Sequence, residues 1–182
     1  MKFLMSMGNL VLVLVVSPLA LSAELVSLKD YLKKELSSSA KLAKESFVLD
    51  GAQKAAIAKV APDATEDSYT FFYGKSADGK MEKACTVVPQ KGKEGPMSLG
   101  VCFAPTGLLE SVTILAHEEE RGRKITEDGF LKQFKGKKVT DSFVVGSDVD
   151  GISGASYSSK AVSEALRKSS LAFKTLVMGA VK

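Results

Sequence analysis

The chain has 182 residues, of which 45% are hydrophobic and 25% charged, and its formal net charge is +4. This length suits one domain, and this balance of apolar and charged residues excludes a disordered chain, a collagen-like repeat and a coiled coil. The lysines are scattered between acidic residues, which argues against a nucleic-acid partner. The chain has one histidine and two cysteines, too few for a multi-histidine or a four-thiolate metal site. We expect a globular protein that binds neither nucleic acid nor a metal.

The first residues have the pattern of a secretory signal peptide. A lysine precedes the apolar run 10–16, and Pro18 and small residues lead to Ala23. We predict a signal peptide over 1–23, cleaved near its end, and a soluble periplasmic or otherwise extracytoplasmic protein. The alternative is an uncleaved membrane anchor, although the apolar run is shorter than the about 20 residues that a spanning helix needs.

Residues 24–64 predict an N-terminal helical segment. Leucines recur at helical spacing among lysines and glutamates, which predicts an amphipathic helix over 25–44. A second helix is predicted between Asp50 and Pro62. The Asp50 side chain is expected to cap its start, with the Gln53 side chain reaching back to the Asp50 backbone, and Pro62 is expected to end it.

Strand-like segments separated by turn residues follow, and they predict an antiparallel sheet. They span 68–73, 84–88, 99–104 and 108–116. Further elements are predicted in this order: a short helix at 126–134 capped by Thr126, a strand at 141–145, and a last helix at 159–178 that Gly179 ends. Strands bracketed by helices predict an α+β fold, with an antiparallel sheet flanked by helices.

The two cysteines lie in two of these strands. A loop rich in proline, glycine and lysine joins the strand of Cys85 to that of Cys102. In an oxidising compartment, cysteines that face one another would form a structural disulfide worth about 3 kcal/mol. Two buried free thiols are the alternative, because the register of the strands is not readable from the sequence.

Residues 150–158 are the segment with the clearest chemistry. They read Asp-Gly-Ile-Ser-Gly-Ala-Ser-Tyr-Ser and stand between a predicted strand and a predicted helix. Hydroxyls and small residues before a helix favour a bound phosphate, because backbone N–H groups and the helix dipole attract an anion there. From these residues alone, the alternative is a loop in which Ser158 or Ser159 only caps the helix.

This segment resembles the acceptor motif of the covalent FMN-binding domain family, which occurs in subunits of the sodium-pumping NADH:quinone reductase and of Rnf complexes. The motif is aspartate, two variable residues, Ser or Thr, Gly, Ala, and Thr or Ser. It is met here by Asp150, Ser153, Gly154, Ala155 and Ser156. Residues 117–125 and 130–137 resemble the family's acidic segment before a glycine turn and its Phe-Leu-x-Gln-Phe-x-Gly-Lys helix, in the right order and spacing.

The resemblance implies an FMN-binding domain over 65–182, with FMN joined to Ser156 through a phosphoester by a separate flavin transferase. Ser158 is the second candidate acceptor. Ser153, Gly154 and Ala155 would belong to the cofactor site, and Asp150 would shape the loop or assist the transferase; its alternative is a plain turn residue.

The acidic run 118–120 has two interpretations. The resemblance implies that one of its residues, taken as Glu118, lies with Arg121 and Gly122 beside the isoalloxazine ring; the alternative is a solvated charge run. We expect His117 to be a surface or capping residue rather than a proton donor. Phe130 and Phe134 lie at helical spacing and are expected in the core.

The function implied by the resemblance is that of an exported carrier which passes electrons between a redox donor and a redox acceptor, including those of a membrane-associated redox complex. The sequence has no glycine fingerprint for a nicotinamide cofactor, so we expect a carrier rather than a stand-alone enzyme. The alternatives are a binding or assembly module of the same fold without flavin, and a small flavin-dependent reductase.

Overall fold

A computed structural model of the chain describes residues 23–120 and 122–179. The predicted signal peptide, apart from its last residue, lies outside the described residues, as does Arg121. None of the helices within the described ranges has both the length and the apolar character required to cross a membrane.

The strands and helices alternate at first and then separate into a run of strands and a run of helices. The strands are β1 (Ala23–Glu24), β2 (Lys41–Val48), β3 (Ser68–Lys75), β4 (Met81–Lys91), β5 (Pro96–Phe103) and β6 (Leu109–His117). The α-helices are α1 (Leu28–Leu36), α2 (Gly51–Val60), α3 (Asp128–Leu131) and α4 (Ser156–Ala172). Short 3₁₀ turns at Arg123–Thr126 and Lys132–Phe134 flank α3, and a π-helical turn at Phe173–Met178 extends α4.

The strands form one antiparallel sheet in the order β1-β6-β5-β4-β3-β2. The run from β3 to β6 is a meander. Two of its turns contain Gly79 and Gly107, whose φ angles of +89° and +83° are open to glycine at no steric cost. The predicted α+β class, an antiparallel sheet flanked by helices, is confirmed.

Helix α4 and its extension cover one face of the sheet and form the main core with it. Phe173 stacks on Phe103 of β5 with 4.6 Å between the ring centroids. Phe130 and Phe134, which the sequence predicted in the core, are both buried there and meet edge to face at 5.3 Å. Apolar residues of α4 between 161 and 172 are buried in the same core.

Helix α1 covers the opposite face, where it lies over the two cysteines. Cys85 of β4 and Cys102 of β5 are directly opposite in register and form a disulfide, as one of the two sequence interpretations expected. The Tyr31 hydroxyl lies 3.1 Å from Cys102 Sγ. Burial, together with the nearby Glu35 carboxylate, raises the pKa of Tyr31 well above its usual value.

The prediction of one helix over 25–44 is wrong in its second half. Helix α1 starts after the cap Ser27, whose hydroxyl accepts a hydrogen bond from Asp30 N at 3.1 Å, and ends at Leu36. The serines that follow favour turns, and 41–48 pairs as β2 along the whole length of β3, so sheet pairing overrides the local helical spacing. Helix α2 is confirmed, with the expected capping box of Asp50 and Gln53.

Two predictions near the short helix are also wrong. Thr126 does not cap α3, because its hydroxyl donates to Arg123 O at 2.8 Å and the N-cap position belongs to Glu127. Residues 141–145 form no strand, because the Asp148 side chain accepts from backbone groups that a strand would use for pairing.

The last helix begins at Ser156, earlier than the predicted 159, and Gly179 ends the extension as expected. Neither Ser158 nor Ser159 caps it. Ala155 occupies the N-cap position, and the Ser159 hydroxyl donates back to Ala155 O at 3.1 Å. The interpretation of the segment as a serine-capped entry loop is therefore wrong.

Candidate functional site

The segment 150–155 is a tight loop that delivers the chain to the start of α4. Ala155 N donates to Ile152 O at 3.0 Å, and Ser159 Oγ accepts from Ile152 N at 3.0 Å. Gly154 has a φ of +79°, a conformation that a side chain would strain. The loop thus leaves Ser156 exposed as the first residue of the helix.

Gln133 holds the first residue of this loop from both sides. Its side-chain amide accepts from Asp150 N at 2.7 Å and donates to Asp150 O at 3.1 Å, while it also donates to Phe130 O at 2.9 Å. Both backbone groups of Asp150 are therefore bound by one side chain, while the residue itself stays exposed. This clamp gives a structural reason for a glutamine at this place in the 130–137 segment.

Asp148 fixes the chain just before the loop. Its carboxylate accepts from Ser142 Oγ at 2.7 Å, from Val144 N at 2.6 Å and Phe143 N at 3.0 Å, and from Lys137 Nζ at 3.3 Å. Burial by itself would raise the pKa of Asp148, but these donors outweigh it and hold the pKa well below its usual range. The loop therefore starts from an ordered, charged anchor.

Ser158, the second candidate acceptor, points away from solvent. It is 2% exposed and donates a hydrogen bond from its hydroxyl to Oε2 of Glu119, which is equally buried. A side chain at Gly122 would clash with Ser158 and Glu119, so a glycine there permits the close approach. The two serines of the motif therefore differ sharply in accessibility.

The tip of the β4–β5 hairpin, Lys91–Pro96, closes the site from the other side. Glu94 N donates to Glu119 Oε1 at 3.0 Å, and Glu120 N donates to the Glu94 carboxylate. Side chains at Gly92 or Gly95 would clash with the carboxylates of Glu119 and Glu118 respectively. The tip is therefore packed tightly onto the acidic segment after β6.

Between these parts lies a cleft of about 250 Å³. Its wall consists of Lys93, Glu94, Glu119, Gly154, Ala155, Ser156, Tyr157 and Ser158. A second, larger groove of about 560 Å³ shares Lys93 and Glu94 with the cleft and continues past Lys91 toward Lys168 of α4. The hairpin tip separates the two spaces.

The structure brings four of the predicted site residues together in this cleft: Gly154, Ala155, Ser156 and Ser158. Ser153 and Asp150 lie exposed on the adjoining loop, outside the cleft wall. In the acidic run it is Glu119 that lines the cleft, whereas Glu118 packs on Gly95.

The residues at the end of β6 are less exposed than the sequence suggested. Glu119 is 2% exposed, so the interpretation of 118–120 as a solvated run is wrong for its middle residue. His117 is also buried, at 8%, and its Nδ1 accepts from Glu119 N at 3.0 Å. It caps a backbone group, as expected, but it is not a surface residue.

Sequence reasoning missed the hairpin tip. Lys93 and Glu94 lie far from the acceptor motif along the chain, and their loop was interpreted only as a connection between strands. The one available signal is the spacing of Gly92 and Gly95, since paired glycines in a lysine-rich tip indicate close packing against another segment.

The part of the chain that matches a known family includes residues from both walls of the cleft. Residues 92–170 match the model of the family described as FMN-binding domain. The resemblance to the FMN-binding domain family is confirmed. The matched residues run from the hairpin tip through the acidic segment and the Gln133 clamp to most of α4.

Two solved structures share the fold. NqrC of Shewanella oneidensis has a TM-score of 0.57 at 18% identity, and the match covers 80% of this chain and 86% of that one. A subunit of the Na(+)-translocating NADH-quinone reductase of Parabacteroides distasonis has a TM-score of 0.52 at 24% identity, over 75% of this chain and 79% of that one. No curated protein matches the chain in sequence.

The cleft suits an FMN phosphate. No described side chain accepts from the first-turn N–H groups of α4, a helix of 17 residues. These donors and the positive end of the helix dipole favour an anion at Ser156. The exposed hydroxyl at the same place offers an oxygen for a phosphoester.

Proposed function

We propose that the chain is an extracytoplasmic electron carrier with FMN joined covalently to Ser156. The observation that carries this proposal is the contrast between two hydroxyls. Ser156 is exposed at the uncapped start of α4, whereas the Ser158 hydroxyl is buried and bound to Glu119. Only the first hydroxyl is free to react without breaking the cleft wall.

The attachment step that we propose transfers FMN from FAD with a separate flavin transferase. Ser156 Oγ forms a bond to the phosphorus of the FMN half, the pyrophosphate P–O bond breaks, AMP leaves, and the hydroxyl proton passes to a base of the transferase. A phosphoester keeps about one negative charge, which a helix start is able to hold. The exposed Asp150, clamped by Gln133, is where the transferase would contact the loop.

When bound, FMN supplies the electron chemistry, and the protein holds and orients it. Gly154 and Ala155 leave room beside the acceptor, Ser153 adds a hydroxyl to the loop, and Glu119 closes the wall. Our proposal also keeps Glu118 and Arg121 as neighbours of the isoalloxazine ring, since both belong to the segment between β6 and Gly122.

The partners that we propose are a redox donor and a redox acceptor, in or near a membrane-associated redox complex. Support comes from the shared fold with a protein described as a subunit of a Na(+)-translocating NADH-quinone reductase. Export through the signal peptide 1–23 is part of the proposal. N-terminal sequencing of the secreted protein should find a start within a few residues of Glu24, whereas an intact Met1 in detergent-extracted material would favour an anchor.

The attachment site is tested by co-expressing the exported protein with a flavin transferase and measuring its mass. Wild type should gain the mass of FMN less one water, and the band should fluoresce under ultraviolet light in a denaturing gel. Ser156→Ala should abolish the gain, while Ser153→Ala, an exposed hydroxyl on the same loop, should keep it. Ser158→Ala should also keep it.

The outcomes separate the residue assignment from the function. Flavin retained in Ser156→Ala and lost in Ser158→Ala would move the attachment to Ser158. A wild-type protein that stays colourless with an active transferase would contradict the electron-carrier function and favour a binding or assembly module of the same fold.

A further inference from the structure

The charge of the cleft around Ser156 is unbalanced. Among the described residues that line it, Lys93 is the single cation, whereas Glu94 and Glu119 are acidic. Glu119 is buried and makes no salt bridge to a described residue; its carboxylate is held by Ser158 and by Glu94 N. An added phosphoester would bring a further negative charge next to these carboxylates, and a cation beside it would offset their repulsion and add to the attraction of the helix start.

Lys93 extends from a backbone whose position is fixed. Gly92 N donates to Gly95 O at 2.8 Å, which closes the tip as a tight turn. The contacts of the tip with Glu118 and Glu119 hold this turn against the acidic segment. Lys93 is exposed and makes no salt bridge to a described residue, so its ammonium group is available to a ligand.

Lys91 offers a natural comparison on the same hairpin. It is a lysine two positions earlier and is likewise exposed, but it lines only the larger groove. Lys93 lines both the larger groove and the Ser156 cleft. The two lysines therefore share the general positive charge of the tip and differ in access to the acceptor serine.

We propose that Lys93 is the phosphate-binding residue of this protein: its ammonium group pairs with the phosphate that joins FMN to Ser156. The inference rests on the proposed function. It places the positive partner of the phosphate on the β4–β5 hairpin, opposite the helix start, so that the phosphate lies between the α4 N-terminus and the hairpin tip.

The test compares wild type, Lys93→Ala, Lys93→Arg and Lys91→Ala, each purified without flavin and then mixed with FAD, magnesium and limiting flavin transferase. The rate of mass gain is followed at low salt, and the ³¹P resonance of each purified flavinylated protein is recorded. We expect Lys93→Ala to slow attachment by up to about fivefold, which is the upper end of the contribution of one exposed ion pair, and to shift the ³¹P resonance. Lys93→Arg should have an attachment rate and a ³¹P resonance close to those of wild type. Added salt should reduce the difference in attachment rate between wild type and Lys93→Ala.

Lys91→Ala should match wild type in both measurements. Equal attachment rates and equal ³¹P resonances in Lys91→Ala and Lys93→Ala would overturn the proposal. A slower attachment in Lys93→Ala with an unchanged ³¹P resonance would also overturn it, because Lys93 would then contact the transferase rather than the phosphate. If wild type itself gains no flavin, the proposed function fails, and this result is distinct from both of the others.

Discussion

The Ser158 hydroxyl donates a hydrogen bond to the buried carboxylate of Glu119, and this bond joins the first turn of α4 to the segment after β6. The other oxygen of the same carboxylate accepts from Glu94 N of the hairpin tip. One side chain thus connects three elements that are distant in sequence, and it fixes the walls of the cleft around Ser156.

Glu119 should therefore matter for stability as well as for the shape of the cleft. Glu119→Ala leaves the Ser158 hydroxyl and Glu94 N without their acceptor, and we expect the free energy of unfolding to fall by about 1–3 kcal/mol. Urea denaturation measures this. Glu120→Ala is the matched control, because Glu120 is exposed and only its backbone N–H takes part in the network. Equal losses in the two variants would contradict the role of the carboxylate.

Replacing Gly100 of β5 with any larger residue should lower the stability of the protein. A methyl group at this position would clash with the Tyr31 ring of α1. We expect Gly100→Ala to cost about 1–3 kcal/mol, since overpacking forces the helix or the strand to move. Gly51→Ala, where a methyl group meets nothing within 4 Å, is the control. In a Tyr31→Ala background the cost of Gly100→Ala should fall, and an unchanged cost would show that the clash is not with this ring.

The Cys85–Cys102 disulfide should be complete and structural. Thiol labelling of denatured, unreduced protein should find no free cysteine. Replacing both cysteines with alanine should lower the free energy of unfolding by about 3 kcal/mol, because the crosslink restricts the unfolded chain. Quantitative labelling of both residues in protein isolated without a reductant would refute the prediction.

Asp148 should make the protein sensitive to acid. Its folded-state pKa is depressed, so its contribution to stability is fully present above the unfolded value of about 3.9 and is lost as the pH falls below it toward the folded value. Asp148→Asn should be less stable than wild type at neutral pH and should lose less stability on acidification below about pH 4. Denaturation curves at several pH values test this, and parallel pH profiles would exclude Asp148 as the group responsible.

The sequence predicted the meander and the acceptor motif because their signals are local. Alternation of apolar residues and the turn glycines Gly79 and Gly107 specify neighbouring strands without reference to distant contacts. The helix predicted over 25–44 failed for the opposite reason. Its leucine spacing is real up to Leu36, but the pairing of 41–48 with β3 is a long-range contact that local spacing does not show.

The cleft itself was only half predictable. Ser156 and Gly154 were recognised by their motif, and the exposed position of Ser156 follows from the turn at Gly154. Lys93 and Glu94 line the cleft because the hairpin tip packs onto the acidic segment after β6. Nothing in their own neighbourhood specifies that contact.

The position of α1 over the disulfide has a consequence for the order in which the protein folds and is oxidised. Cys85 and Cys102 are fully buried, and the Tyr31 hydroxyl lies against one of the sulfurs. Because buried thiols are out of reach of a protein oxidant, we expect the two sulfurs to be joined before α1 docks on the sheet. Once it has settled, the same helix shields the crosslink from reductants.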